Sequence, residues 1–176
     1  ISYLKYYDCP PSTSSPAPSP VATPPPTPTV CPVIDCDFST LAIGLSLDDP
    51  KQAQALMETC LMKVKATNTI RNNVVNIFDS TNIGGRQAKY DPDLGAPNRD
   101  CPGGGPGRGN GGKPDKTYKN CEPQGNLMII QNENMPVTTP NDSAFGGCLE
   151  FYFTETVSMI DFVILDIDDG DAAKIT

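Results

Sequence analysis

The sequence predicts a mainly β protein: a jelly-roll-like β-sandwich with one short helix and long disulfide-tied loops, preceded by an extended polyproline II segment. Several short apolar runs follow one another with turn-rich stretches between them. This order favours packed antiparallel sheets over alternating strands and helices. One run, 149–153, alternates apolar and polar residues in the pattern of a half-buried strand.

A tract rich in Pro, Ser and Thr divides the chain into three parts. Residues 1–9 contain three tyrosines and are typical of the end of a preceding element. Residues 10–32 form a linker, which we expect to be extended because Pro fixes φ and has no backbone donor. The β-sandwich domain occupies 33–176, and we expect it to be incomplete at its C-terminus because no closing strand follows the last one.

The elements of the domain follow from local signals. A strand at 33–38 opens it. Asp49 has the character of a helix N-cap, and Pro50 suits the first helical position. Apolar residues then recur at helical spacing, so we predict a helix of about three turns. Turn-forming residues fill 82–125. The other strands are predicted at 61–66, 74–78, 127–130, 149–153 and 160–167.

The residue composition excludes several classes of function. The chain of 176 residues has no His, which excludes catalysis by a His base of this chain and most zinc enzymes. Its formal net charge is −8, and its Lys and Arg residues are scattered singly, so we expect no nucleic-acid partner. Apolar runs such as 162–165 are far shorter than a membrane span, so we expect no membrane insertion.

Seven cysteines favour an oxidising compartment. We predict a disulfide between Cys101 and Cys121, because they bracket a Gly-rich loop whose freedom in the unfolded chain the bond would restrict. The odd number leaves at least one cysteine free, bonded to another chain or paired outside this segment. Cys9, Cys31 and Cys36, which flank the Pro-rich tract, are the candidates for an intermolecular disulfide.

Two kinds of glycosylation are predicted. The Pro-rich tract is similar in composition to O-glycosylated stalks and to the hydroxyproline-rich tracts of wall glycoproteins, and the alternative is a disordered linker. Asn141 opens the sequon Asn-Asp-Ser, a target for N-glycosylation. The candidates in the tract are Ser12, Ser15, Ser19, Thr23, Thr27, Pro16, Pro18, Pro20, Pro24, Pro25 and Pro26.

The glycines of 107–113 match the spacing of a phosphate-binding loop up to its lysine. Pro114 stands where such a loop needs Ser or Thr for Mg²⁺, and the flanking strand and helix are not predicted. We therefore reject nucleotide binding and interpret the segment as a flexible surface loop tied at its base by cysteines.

Two segments carry acidic residues that Ca²⁺ can use. Asp91 and Asp93 stand one residue apart before a Gly turn, which can aim several oxygen atoms at one point, and the alternative is a cluster of Asx turns. The acids of 166–171 do not fit the register of an EF-hand, and solvated turn residues are the simpler interpretation.

Six short motifs follow one another in order: NIFD at 76–79, DPDLGAPN at 91–98, GNLMIIQ at 125–131, PNDSAFGG at 140–147, LEF at 149–151 and LDIDD at 165–169. Together they resemble the β-sandwich domain that recurs in large secreted and cell-surface proteins of bacteria and algae. The resemblance implies a jelly-roll-like fold, structural Ca²⁺ and a role in adhesion or extracellular architecture. The ligands it implies are Asp79, Asp91, Asp93 and Asp142. With its Pro-rich tract, the chain is also similar to components of extracellular filaments such as algal flagellar hairs.

These features predict a structural glycoprotein of an extracellular filament or coat, whose partners are glycans and copies of itself in a homo-polymer. The alternative is a carbohydrate-binding module, with Tyr90, Tyr118 and Tyr152 as the residues able to stack on sugars, although the chain has no Trp. A glycosidase that uses a carboxylate pair such as Glu150 and Glu155 has the least support, because no spacing singles out that pair. We therefore predict no catalytic residues.

Overall fold

The computed structural model describes residues 4–8, 33–67, 74–82, 91–110, 112–117 and 119–165. Predictions for the Pro-rich tract at 10–32 lie outside these residues. The described part of the chain is mainly β with one short helix, as predicted. Its elements are β1 (Leu4–Asp8), β2 (Val33–Cys36), α1 (Pro50–Cys60), β3 (Met62–Thr67), β4 (Val75–Asp79), β5 (Asn126–Ile130), β6 (Cys148–Phe153) and β7 (Val157–Phe162).

The strands of the described residues pair antiparallel in three small sheets. One sheet has the order β2-β1-β7, and the other two are the pairs β3-β6 and β4-β5. Within the described residues these sheets do not close into a sandwich. The mainly β class and the predicted helix are therefore confirmed, whereas the closure of a jelly roll is not observed in this part of the chain.

The β3-β6 pair has one apolar and one solvent-facing side. Val64 lies opposite Phe151, and both pack against the larger core cluster. Lys65 lies opposite Glu150 on the other side, where Lys63 and Lys65 are exposed. Successive side chains of a strand point to opposite faces, so the alternation in 149–153 predicted this arrangement correctly.

The β4-β5 pair lies between two apolar clusters. Ile77 and Met128 belong to the larger cluster, which also contains residues of α1 and β3. Phe78 and Leu127 belong to a smaller cluster, together with Leu94 from the loop between the two strands. Because both faces of this pair are covered, its strands are almost continuous apolar runs in the sequence.

Helix α1 begins at the predicted cap. The Asp49 side chain accepts hydrogen bonds from two backbone N–H groups of the first turn, at 2.9 and 3.4 Å, and Pro50 occupies the first turn. Leu56 packs in the larger core cluster. The buried Gln52 side chain donates to the Ala42 carbonyl at 2.7 Å and accepts from the Ala42 N–H at 2.9 Å. These two bonds join the helix to the loop that precedes it.

A disulfide joins Cys36, at the end of β2, to Cys60, at the end of α1. The prediction that Cys36 is a candidate for an intermolecular bond is therefore wrong. Both cysteines are buried in the larger core cluster, and they meet because α1 packs beside β2. Their separation of 24 residues carries no local signal for this pairing.

We expect the double substitution Cys36→Ala with Cys60→Ala to lower the free energy of unfolding by about 3 kcal/mol, because the bond closes a long loop of the unfolded chain. Denaturant unfolding followed by circular dichroism measures the change. The control is Cys148→Ser, since Cys148 is an exposed free thiol and its replacement should change stability by less than about 0.5 kcal/mol. Equal stability of the double variant and the native chain would contradict the prediction.

Candidate functional site

The Gly-rich segment forms a loop whose backbone packs on itself. A Cβ added to Gly95 would lie 2.6 Å from the Gly107 Cα, and one added to Gly105 would overlap the Pro97 carbonyl. The Arg99 N–H donates to the Gly107 carbonyl, and the Gly107 N–H donates to the Pro97 carbonyl, both at 2.9 Å. These glycines therefore permit close backbone approach within the loop. Its flexibility stays a prediction.

The Cys101–Cys121 disulfide fastens this loop at its base, as predicted. Beside it, the Asn98 N–H donates to the Asn120 carbonyl at 2.7 Å. With the bond between β2 and α1, the described residues contain two disulfides, which suggest an oxidising, secreted environment.

A buried amide pair holds the loop that leads to Asp142. Asn76 in β4 is fully buried, and its Nδ2 donates to the Gln131 Oε1 and to the Val137 carbonyl, both at 2.8 Å. The Gln131 Oε1 also accepts from the Asn141 N–H at 3.3 Å. These bonds fix the loop against β4 and so determine where Asp142 lies.

The sequence analysis assigned no role to Asn76 or Gln131. Asn76 interrupts the apolar run VNIF at 75–78, and Gln131 directly follows the apolar run LMII at 127–130. A buried amide costs free energy unless it is hydrogen-bonded. An amide inside or directly after an apolar run is therefore the signal that could have found this pair.

Three of the four predicted calcium ligands meet at Asp91. Asp91 is only 4% exposed, and its Oδ2 accepts from the Asp142 backbone N–H at 3.0 Å. The side chains of Asp93 and Asp142 lie within hydrogen-bonding reach of the same carboxyl group. We call Asp91, Asp93 and Asp142 the Asp91 cluster.

The surroundings of Asp91 in this cluster favour the protonated form of its carboxyl group. The pKa of Asp91 is raised to about 9, first because burial removes the carboxyl from water, and then because Asp93 and Asp142 hydrogen-bond to it and Asp142 adds negative charge. The Asp91 carboxyl is therefore protonated at neutral pH, and it can donate to a neighbouring carboxylate. Among the described residues, no group of three or more His, Cys, Asp or Glu side chains is arranged to hold a metal ion. Calcium binding stays a prediction.

The fourth predicted ligand, Asp79, ends β4 and stabilises a local turn. Its Oδ1 accepts from the Thr81 N–H at 2.9 Å, from the Thr81 hydroxyl at 2.8 Å and from the Asn82 N–H at 3.2 Å. This is the arrangement of an Asx turn, so this oxygen already has three donors.

A cavity of about 150 Å³ lies next to the Asp91 cluster, since Asp142 forms part of its lining together with Ser143 and Gly146. Ser143 is 7% exposed, and its hydroxyl oxygen has no hydrogen-bond partner among the described residues. We call this space the β5 cavity. Its apolar lining includes Leu94, Leu127, Ile129 and Leu165.

The solvent-facing side of β6 carries an aromatic and a thiol. Tyr152 is 53% exposed, and its hydroxyl donates to the Glu150 carboxylate at 2.5 Å, which raises the pKa of Tyr152. Cys148, at the start of the strand, is an exposed free thiol. Tyr90 and Tyr118, the other tyrosines predicted to stack on sugars, lie outside the described residues.

The remaining predicted positions are not brought together at one site. Asn141 is half-buried, and both its backbone groups are hydrogen-bonded. Glu155 is exposed in the turn after β6. The predicted glycosylation residues of the Pro-rich tract, like Cys9 and Cys31, lie outside the described residues.

Comparison of the chain with protein-family models, with curated proteins and with solved structures finds no match. The resemblance to secreted and cell-surface β-sandwich domains therefore stays an expectation from the sequence. Within the described residues, the length and polarity of the helix do not allow it to span a membrane.

Proposed function

We propose that this chain is a structural glycoprotein module of an extracellular filament or coat, which assembles with copies of itself and has no catalytic role. The observation that carries the proposal is which of the described cysteines are bonded and which one is free. Two disulfides fasten the module internally, at β2 with α1 and at the base of the Gly-rich loop. Cys148 is left exposed as a free thiol on the solvent-facing side of β6.

The rest of the proposal concerns how such a module would be built into an assembly. Small sheets with few strands gain stability from disulfides in an oxidising compartment. A jelly-roll closure would complete the described sheets, and the glycosylated Pro-rich tract would act as an extended spacer between modules. Among the described residues strand β6 pairs with β3, and a strand of a neighbouring copy could extend this small sheet by edge pairing.

Electron microscopy of the native material, before and after reductant plus chelator, tests this function. We expect filaments or large particles that separate into small units after treatment, because intermolecular disulfides or bridging ions would be lost. Matched samples treated with reductant alone or chelator alone show whether disulfides or bound ions hold the material together. Dispersed single chains before any treatment would contradict the proposal.

Structural calcium is part of the proposal at one place, the Asp91 cluster. Carboxylate oxygens are the ligands that Ca²⁺ prefers, and the ion would have to displace the proton that Asp91 holds and draw the three side chains into a coordinating arrangement. Thermal unfolding in Ca²⁺ and in Mg²⁺ tests it. We expect Ca²⁺ to raise the melting temperature of the native chain but not that of Asp93→Asn. No shift in the native chain at millimolar Ca²⁺ would exclude this site.

A carbohydrate-binding module is the second candidate, because Tyr152 presents an exposed ring beside a carboxylate on an open sheet face. An aromatic face with an adjacent hydrogen-bonding group is suited to a sugar ring. A glycan array probed with the monomeric chain tests it. Binding that Tyr152→Ala abolishes, while Tyr152→Phe keeps most of it, would favour this function over assembly.

A further inference from the structure

The Gly-rich loop carries positive charge in a chain that is acidic overall. The whole chain has a formal net charge of −8. Segment 99–119, by contrast, contains five Lys or Arg residues and two Asp residues, so this segment is locally positive. In the sequence its five cations stand singly: Arg99, Arg108, Lys113, Lys116 and Lys119.

Hydrogen bonds and ion pairs within the loop bring the first three of these cations together. The Arg99 N–H donates to the Gly107 carbonyl at 2.9 Å, which places Arg99 beside Arg108. The Asp100 carboxylate lies 3.5 Å from the Arg99 side chain and 3.4 Å from the Lys113 amine. Asp100 therefore joins two cations that are far apart in the sequence.

The chain after Gly112 adds the other two cations. The Lys116 N–H donates to the Lys113 carbonyl at 3.0 Å, and Lys119 pairs with Gly112 in a β-bridge. Lys116, Lys119 and Arg108 are exposed, and within the described part of the chain their side chains form no ion pair. We call the five cations of this loop the basic loop surface.

The basic loop surface lacks the apolar side chains that a protein or membrane partner would use. Segment 99–119 contains no Val, Ile, Leu, Met, Phe or Trp. The large hydrophobic residues that are exposed in the described chain all lie outside it. Protein interfaces have an apolar centre, and helices that lie on membranes insert apolar side chains. Cations among glycines and polar residues suit a hydrophilic anionic partner instead.

We propose that the basic loop surface binds an anionic polysaccharide whose sugar rings carry carboxylate or sulfate groups. A guanidinium group matches an oxyanion with paired hydrogen bonds, and each Lys adds a point charge. The Arg99–Asp100 pair is exposed and contributes little, so an anionic group of the polymer can replace Asp100 beside Arg99. The inference rests on the extracellular setting of the proposed function and does not require self-assembly.

The loop holds its cations near one another before any partner binds. The Cys101–Cys121 disulfide spans the segment that carries four of the five. The hydrogen bonds from Arg99 and Lys116 restrict the same backbone. Less conformational entropy is therefore lost on binding than for the same cations on an unrestrained chain.

Surface plasmon resonance of the full chain on immobilised polysaccharides tests the inference. Polygalacturonate supplies carboxylates, dextran sulfate supplies sulfates, and neutral dextran is the blank. We expect binding to at least one of the two anionic polymers and none to dextran, and the tighter of the two identifies the anionic group. Raising NaCl from about 50 to about 500 mM should weaken the binding by about tenfold or more, because salt screens exposed charges.

Two matched triple variants show whether the loop is the binding site. The first removes the cations without an ion pair: Arg108→Gln, Lys116→Gln and Lys119→Gln. We expect it to weaken binding about 100-fold, at roughly fivefold for each cation. The control removes the same charge at exposed positions outside the loop: Lys51→Gln, Lys63→Gln and Lys65→Gln. Its affinity should stay within about twofold of the native chain, since screening limits the reach of these charges. Circular dichroism shows that each variant is folded.

A native chain that binds neither anionic polymer at about 50 mM NaCl would overturn the inference, as would equal losses of affinity in the two folded triple variants. Poly-glutamate or phosphatidylserine vesicles that bind more tightly than both polysaccharides, at equal concentration of anionic groups, would assign the surface to an acidic protein or a membrane and so overturn it too. If native filaments separate with reductant and yet neither polysaccharide binds, the proposed function stands and this inference fails. Dispersed native chains that bind polygalacturonate would contradict the proposed assembly and support this inference.

Discussion

Gly107→Ala is expected to lower the free energy of unfolding by about 3 kcal/mol or more, the range of severe overpacking in a site that cannot relax. A Cβ at this position would overlap the Gly95 carbonyl and lie 3.0 Å from the Pro97 carbonyl oxygen. Both neighbours are backbone. The Pro97 carbonyl accepts from the Gly107 N–H, and the Gly95 carbonyl accepts from the Asn120 Nδ2 at 3.2 Å, so neither can move without opening the loop. Denaturant unfolding measures the loss of stability, and limited proteolysis shows whether the loop becomes accessible.

The control for this prediction is Gly103→Ala in the same loop. Gly103 has φ of +88°, but nothing lies within 4 Å of the position that its Cβ would take. This variant should lower the free energy of unfolding by only about 1 kcal/mol, the strain of a side chain in a left-handed conformation. Equal losses for the two variants would show that close backbone approach at Gly107 is not what the loop requires.

The stability of the native chain is expected to fall as pH rises from about 4 to about 9, because of Asp91. The pKa of Asp91 is raised to about 9 in the folded chain by burial and by its acidic neighbours, whereas an unfolded Asp titrates near 3.9. Between these values the folded state binds one proton more than the unfolded state, so each pH unit removes up to about 1.4 kcal/mol. Below pH 4 both states are protonated at this residue, and its contribution is constant.

Asp91→Asn isolates this effect. An amide keeps an oxygen that accepts from the Asp142 N–H and adds a donor for the neighbouring carboxylates, as the protonated acid does. We expect the variant to be more stable than the native chain at pH 8, by about 2 kcal/mol or more, and similar to it at pH 4. Thermal unfolding between pH 4 and pH 9 measures the difference.

The matched control for the pH series is Asp100→Asn. Asp100 is exposed and pairs with Arg99 and Lys113 at 3.5 and 3.4 Å. A surface pair of this kind contributes little, so its pH profile should follow that of the native chain. Parallel profiles for the native chain and Asp91→Asn would show that Asp91 ionises normally, and the account of the Asp91 cluster would then be wrong.

The local elements could be predicted well because their signals lie within a few residues. Asp49 and Pro50 predicted the start of α1, and the alternation in 149–153 predicted which side of β6 faces the core. Strand ends were less accurate: the strand predicted at 160–167 is β7, which runs from Val157 to Phe162. The end of a strand depends on where its partner stops pairing, and that partner is distant in sequence.

The candidate site was predicted only in part. The sequence indicated Asp91 and Asp93 as a pair, and the resemblance added Asp142, which the fold does bring to Asp91. It also added Asp79, whose carboxylate instead stabilises its own turn. Short motifs show which residues carry oxygen atoms. They do not show whether nearby N–H groups already donate hydrogen bonds to those oxygens.

The amino-acid sequence by itself determined the mainly β class, the position of the helix and the disulfide at the base of the Gly-rich loop. Each depends on residues whose signals lie in one short segment or at the two ends of one loop. Only the tertiary structure decided that Cys36 pairs with Cys60, that Asp91 loses contact with water, and that the Gly-rich loop is packed closely. These features depend on how separate elements pack, because burial, electrostatic repulsion and steric contact arise between atoms that are close in space and distant in sequence.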